Sequence, residues 1–116
     1  MFGVTLDSNI YVSALEFGGV GARLLAMARA GDFRLDVSNA ILDEVVMVLR
    51  EDFHWDGYRL HFARGSIVAI ANRVEPTHRL EVIQEDPDDD RILECAVEAG
   101  SDVILSYDKD LLRRKE

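Results

Sequence analysis

The sequence predicts an α/β fold in which a mostly parallel sheet carries helices on both faces. Short apolar runs of the buried-strand type alternate along the chain with longer segments whose apolar residues repeat at helical spacing. With 116 residues and a hydrophobic share of 48%, the chain is long enough to bury one packed core. No internal repeat or low-complexity linker divides it, so residues 1–116 are expected to form a single domain.

Residues that cap or break helices bound the predicted elements. Asp7 follows the first apolar run, and Ser8 and Asn9 offer capping oxygens to the helix after it. Ser38 is the predicted N-cap of the third helix, and Gly31 ends the second. In chain order the sequence predicts a strand at 4–6, helices at 10–17 and 22–30, a strand at 33–37, helices at 41–49 and 56–73, a strand at 80–83, a helix at 91–99, a strand at 103–105 and a helix at 109–114.

Composition argues against non-specific nucleic-acid binding, a catalytic cysteine and a membrane span. The formal net charge of −9 argues against non-specific nucleic-acid binding, which requires a basic surface, although cations bound at an acidic site would cancel part of that field. A basic partner protein is also compatible with this charge. The single cysteine, Cys95, lies in an apolar helical pattern and is expected to be a small buried hydrophobe. No basic signal-peptide start or apolar run of about 18 residues is present, so we expect a cytoplasmic protein without a membrane span.

Four carboxylates stand where a parallel sheet would bring them together. Ligands of such sheets bind beyond the carboxyl ends of the strands, and Asp7 and Asp108 each follow a predicted strand. Glu44 enters from the third helix and Asp89 from the first turn of the fifth, where the helix dipole stabilises a carboxylate by about 0.3 to 1 kcal/mol. Because gathered carboxylates repel one another, a divalent hard cation is the natural ligand.

Helical geometry selects one carboxylate in the acidic run before the fifth helix and barely separates two in the third helix. Asp43 and Glu44 fall on either side of the apolar stripe of the third helix, and geometry favours Glu44 only slightly. In the acidic run before the fifth helix, Asp89 projects onto the apolar face, whereas Asp88 and Asp90 fall to either side. Of these three aspartates, Asp89 is predicted to be the most buried.

Four segments also resemble, in order and spacing, the motifs of the PIN-domain ribonucleases, the family that includes the VapC-type toxins of bacterial and archaeal toxin–antitoxin pairs. Each motif is a weak signal alone, but four in the right order on the right elements are a strong one. The segments are Leu6-Asp7-Ser8-Asn9-Ile10-Tyr11-Val12-Ser13-Ala14, the stretch from Ser38 to Glu44, the stretch from Asp86 to Ala96, and Ser106-Tyr107-Asp108-Lys109-Asp110-Leu111-Leu112.

The resemblance implies a three-layer α/β/α sandwich and a metal-dependent nuclease. It makes four carboxylates the metal-binding and catalytic residues, with Mg²⁺ or Mn²⁺ as the ion: Asp7, Glu44, Asp89 and Asp108. It makes Asn9 and Ser106 supporting residues, and Asp110 is either a further supporting residue or only a helix cap. The implied reaction is hydrolysis of single-stranded RNA by metal-activated water, and the implied partners are a cognate antitoxin and a second copy in a homodimer.

The chain departs from the family pattern at several positions. Tyr107 stands where a glycine is common, and its ring could narrow access or stack on a base. Ser8 and Ser106 stand where threonine is frequent, and both keep the hydroxyl. The chain ends at Glu116, where relatives often continue into another strand, so one sheet edge is expected to be open or filled by a partner.

Other interpretations of these residues remain open. Asp7 alone could be a helix cap, and Glu44 alone a solvated helix residue. The acidic run is not an EF-hand loop, because Arg91 stands where that loop requires glycine. The three histidines, His54, His61 and His78, are not spaced as metal ligands. Four aromatic residues fit a core or a protein interface better than an RNA-binding surface: Phe53, Trp55, Tyr58 and Phe62. Two rival functions follow, a non-catalytic PIN-like interaction module and a structure-specific DNA nuclease.

Overall fold

A computed structural model of the chain describes residues 1–77 and 87–106, with the side chains of 87–89 left out. Strands and helices alternate through this part, in the order that the apolar pattern predicts for its first six elements. The elements are β1 Gly3–Leu6, α1 Ser8–Glu16, α2 Gly19–Arg29, β2 Arg34–Ser38, α3 Asn39–Phe53, α4 Gly57–Ile70, β3 Ala71–Val74, α5 Pro87–Ala99 and β4 Val103–Leu105.

The four strands form one parallel sheet in the order β3-β2-β1-β4. Every strand therefore ends at the same edge of the sheet, and β1 lies between β2 and β4. Residues that follow β1 and β4 become neighbours at that edge, because Leu6 is paired with Leu105. The predicted α/β/α class with a parallel central sheet is confirmed, and the edge at which its ligands would bind is defined.

Both faces of the two central strands, β1 and β2, are buried. One face presents apolar side chains that are at most 3% exposed: Val4, Leu6, Leu35 and Val37. The other face presents Thr5 beside Asp36 in register, and both are fully buried. Helix α5 covers this second face, since the Sγ atom of Cys95 lies 3.8 Å from the Oγ1 atom of Thr5. The predicted burial of Cys95 is confirmed.

A polar network crosses the second face and joins distant parts of the chain. The carboxylate of Asp36 accepts hydrogen bonds from Arg34 at 2.6 and 2.9 Å, from Ser101 at 2.6 Å and from Asn72 at 3.0 Å. Arg34 also donates to the carbonyl oxygen of Ala99, at the end of α5, at 2.9 Å. The network therefore ties β2 to β3 and to the turn between α5 and β4.

The predicted fourth helix is wrong beyond residue 70. Helix α4 ends at Ile70, and Ala71, with φ −103° and ψ 155°, begins strand β3. The sequence has no glycine or proline here to end the helix, and the strand forms because its backbone pairs with β2 from Leu35 to Ser38. The predicted strand at 80–83 and helix at 109–114 lie outside the described residues.

The described helices are short. None of those within residues 1–77 and 87–106 is by itself long and apolar enough to cross a bilayer, and α1 and α2 meet that length and composition only as a pair bent by 102°.

Candidate metal centre

Asp7 lies at the carboxyl edge of the sheet and is 6% exposed. Its backbone N–H donates to the carbonyl oxygen of Leu105 at 3.0 Å, which fixes it beside the end of β4. Its Oδ1 atom accepts the backbone N–H of Ile10 at 3.1 Å, so Asp7 is the N-cap of α1. The prediction that Ser8 and Asn9 supply the cap was wrong, because the extended backbone that a cap requires belongs to Asp7.

Ser8 joins the candidate site to α3. Its hydroxyl donates to the Oε2 atom of Glu44 at 2.6 Å, and Ser8 is itself 5% exposed. Because Ser8 directly follows Asp7, this bond holds the Glu44 carboxylate beside the first turn of α1. Sequence reasoning treated Ser8 as a mild replacement for threonine and did not identify this contact.

Asp43 faces a different helix from Glu44. Its carboxylate pairs with the Nη1 atom of Arg64 in α4 at 2.8 Å, and its side chain is 71% exposed. Helix α3 thus directs Glu44 towards α1 and Asp43 towards α4. The two neighbouring carboxylates, which helical geometry barely separates, have distinct surroundings in the folded chain.

Helix α5 buries carboxylates that the sequence did not single out. Asp90 is 3% exposed and Glu94, one turn later, is 7% exposed. Glu94 pairs with Arg91 at 2.9 Å. The sequence placed Asp90 to the side of the apolar face, and only its i, i+4 spacing from Glu94 indicated a shared side of the helix. Asp89 lies in the first turn of α5, but its side chain is outside the described part, so its greater burial stays a prediction.

Of the other predicted site residues, the structure describes Asn9 and Ser106. Asn9 is half-buried in the first turn of α1, and Ser106 is exposed immediately after β4, next to the strand end that bonds Asp7. Tyr107, Asp108 and Asp110 lie outside the described residues. The structure therefore joins Glu44 to Ser8, the residue after Asp7, and places Ser106 at the same edge as Asp7.

The donor chemistry of this edge fits a hard divalent cation. Asp7 and Glu44 offer carboxylate oxygens, the ligands that Mg²⁺ and Mn²⁺ prefer. Within the part of the chain that the structure describes, no group of three or more His, Cys, Asp or Glu side chains is placed to hold a metal ion. Of the four predicted ligands, that part contains the side chains of Asp7 and Glu44 only.

The sequence of the chain is similar to that of a known protein family. A family model of the PIN domain matches residues 3–110, a range that runs from β1 past β4 and includes the four predicted carboxylates. None of the curated proteins matches the chain. PIN domains are generally nucleases, hydrolases that act on nucleic acids and typically use divalent metal ions. Since the match covers most of its length and the fold agrees, the chain belongs to the PIN-domain family.

Proposed function

We propose that this chain is a metal-dependent endoribonuclease that hydrolyses phosphodiester bonds of single-stranded RNA. The main support is the hydrogen bond from Ser8 to Glu44, because Ser8 directly follows Asp7, which lies at the carboxyl edge of the sheet of a PIN domain. Asp7 itself is held at that edge, because its carboxylate accepts the backbone N–H of Ile10.

The proposed ligands of Mg²⁺ or Mn²⁺ are Asp7, Glu44, Asp89 and Asp108, with Asn9, Ser106 and Asp110 in support. A bound divalent ion would lower the pKa of water and stabilise the charge that develops on the phosphate oxygens. Capping of α1 holds Asp7 in a fixed orientation, and Ser8 fixes the orientation of Glu44. No side chain has to act as a nucleophile, which agrees with the burial of Cys95.

We further propose that the protein is a VapC-type toxin, neutralised by a cognate antitoxin in the cytoplasm and assembled as a homodimer. The formal charge of −9 supports a basic or amphipathic antitoxin segment as the partner. Growth arrest on expression, relieved by co-expression of a small protein encoded next to this one, is the expected result. Expression without any effect on growth would contradict the toxin role but not the nuclease.

The direct test is cleavage of mixed-sequence single-stranded RNA with Mg²⁺, Mn²⁺ or EDTA. We expect cleavage only with metal, and its loss in Asp7→Asn and Asp89→Asn. Asparagine caps helices as well as aspartate does, so Asp7→Asn keeps its fold. Asp43→Asn is the matched control, because it removes an exposed carboxylate next to Glu44 that pairs with Arg64, and it should retain activity.

Two results would favour the rival functions. Stabilisation of the wild type by Mn²⁺ with no cleavage of any nucleic acid would favour a non-catalytic interaction module. Cleavage of branched or flapped DNA but not of RNA would favour a structure-specific DNA nuclease.

A further inference from the structure

An aromatic surface with two exposed rings lies away from the predicted metal ligands, at the start of α4. We call it the α4 aromatic face and define it by Tyr58, Arg59 and Phe62 together with Trp55, which is buried at 9% exposure. The rings of Tyr58 and Phe62 are one helical turn apart, 5.1 Å between centroids, and these residues are 74% and 61% exposed. They line an apolar groove of about 380 Å³ together with Leu15, Ala63 and Ser66. Two large rings so exposed contribute little to the core.

The rest of the face is held rigidly. The guanidinium carbon of Arg59 lies 3.9 Å from the centroid of the Trp55 ring, within the range of a cation–π contact. The indole N–H of Trp55 donates to Glu16 at 2.6 Å, which fixes the plane of the ring. The face thus offers two open rings beside a guanidinium that is held over a buried indole.

The charge of this segment differs from that of the whole chain. Residues 57–74 contain three arginines and His61 but no aspartate or glutamate, in a protein of net charge −9. Among the carboxylates that border this segment, Glu16 accepts the indole N–H of Trp55 and Asp56 caps α4. A polyanion that approaches α4 therefore meets less repulsion there than over the acidic remainder of the surface.

Helix α4 also contacts α3, the helix that carries Glu44. Arg64, two residues after Phe62, pairs with Asp43, the residue that precedes Glu44. A strand of nucleic acid bound along α4 would accordingly lead towards the helix that carries Glu44.

We propose that the α4 aromatic face binds bases of single-stranded RNA, an inference that rests on the proposed ribonuclease function. Unpaired bases stack on aromatic rings and on guanidinium planes, and this stacking tolerates any sequence. The α4 aromatic face has exposed rings and a guanidinium for such stacking, and residues 57–74 contain no aspartate or glutamate. An acidic amphipathic protein segment is the competing occupant.

The test uses the fluorescence of Trp55, the single tryptophan of the chain. The wild type is titrated in EDTA, which prevents metal-dependent cleavage, with a mixed-sequence single-stranded RNA oligonucleotide and with the same RNA as a duplex. We expect single-stranded RNA to quench the fluorescence, and Tyr58→Ala or Phe62→Ala to weaken binding by about ten-fold or more. Phe2→Ala is the matched control, since Phe2 is 54% exposed and lies before β1, outside this face. Circular dichroism establishes that each variant is folded.

Cleavage by the same variants in Mn²⁺ separates this inference from the proposed function. A wild type that cleaves RNA, with Tyr58→Ala and Phe62→Ala equal to it in binding and cleavage, would overturn the inference and leave the ribonuclease intact. Ring-dependent binding without cleavage by the wild type would support the inference and contradict the ribonuclease. Binding of an acidic amphipathic peptide, with no binding of RNA, would assign the face to a protein partner and overturn the inference.

Discussion

At the scale of single residues, a short hydroxyl side chain organises the candidate metal centre. Ser8 is the residue after Asp7, and its hydroxyl donates to Glu44 across 36 positions of sequence. A donor of this kind restricts the rotation of a carboxylate before any metal binds. Groups that orient metal ligands contribute substantially to metal affinity although they do not touch the ion.

Replacement of Ser8 by alanine is expected to weaken binding of Mn²⁺ by about ten-fold or more, because Glu44 loses the donor that orients it. Ser8→Thr keeps the hydroxyl and should bind Mn²⁺ as the wild type does. Isothermal titration calorimetry measures both affinities. Ser66→Ala is the control, since that serine donates to a carbonyl oxygen within α4. Equal Mn²⁺ affinities for the alanine and threonine variants would show that the hydrogen bond only joins α1 to α3.

A second residue-scale prediction concerns the phenol of Tyr11. Its oxygen is buried and has no hydrogen-bond partner among the described residues, and burial raises the pKa of Tyr11 far above its ordinary value. Tyr11→Phe removes the unsatisfied hydroxyl and should raise the free energy of unfolding by about 1 kcal/mol. Urea unfolding measures the change, with the exposed Tyr58→Phe as a neutral control. A loss of stability would indicate that this hydroxyl has a partner.

At the scale of elements, some helix boundaries follow local capping rules, and others depend on a strand that is distant in the sequence. Ser38 caps α3 through its hydroxyl, as predicted, since its Oγ atom accepts the backbone N–H of Ile41 at 3.3 Å. The end of α4 could not be predicted in the same way, because the backbone of β3 finds its partner in β2, about 35 residues earlier in the chain.

The end of α3 allows an element-scale prediction. His54 is exposed and adopts a left-handed backbone conformation, with φ 58° and ψ 33°, where glycine is favoured. His54→Gly should raise the free energy of unfolding by about 0.5 to 1 kcal/mol, because it removes the strain of a side chain in this region. His61→Gly, inside α4, should lower it by about 1 kcal/mol. Thermal unfolding compares the two variants, and equal effects would contradict the assignment of His54 as a strained helix end.

At the scale of the whole molecule, the hydrogen bonds that Asp36 accepts join β2, β3 and the turn before β4. Because the acceptor is a carboxylate, the stability that these bonds give depends on pH. Burial raises the pKa of Asp36, but hydrogen bonds from Arg34, Ser101 and Asn72 outweigh it, so the pKa lies below its usual value. A lowered folded-state pKa gives stability that is complete above the unfolded-state pKa of about 3.9. That stability is lost as the pH falls from there through the folded-state pKa.

Replacement of Asp36 by asparagine should therefore lower the free energy of unfolding at pH 7 by about 2 to 4 kcal/mol. The difference from the wild type should shrink as the pH falls below about 4, where the wild-type carboxylate becomes protonated. Urea unfolding at pH 7 and at several values below pH 4 measures it. The exposed Asp32→Asn is the control and should leave stability unchanged. A difference that stays constant with pH would exclude the charge of Asp36 as its cause.

The sequence by itself determined the α/β class, the parallel sheet, the burial of Cys95 and the place of Asp7 at a strand end. These follow from the periodicity of neighbouring residues and from capping chemistry, which act within a few positions of the chain. Only the tertiary structure decided that α3 directs Glu44 to Ser8 and Asp43 to Arg64, that Asp90 is buried, and that residues 71–74 form a strand. Such outcomes depend on contacts between residues far apart in sequence, and no local pattern encodes which distant side chain or strand will be the partner.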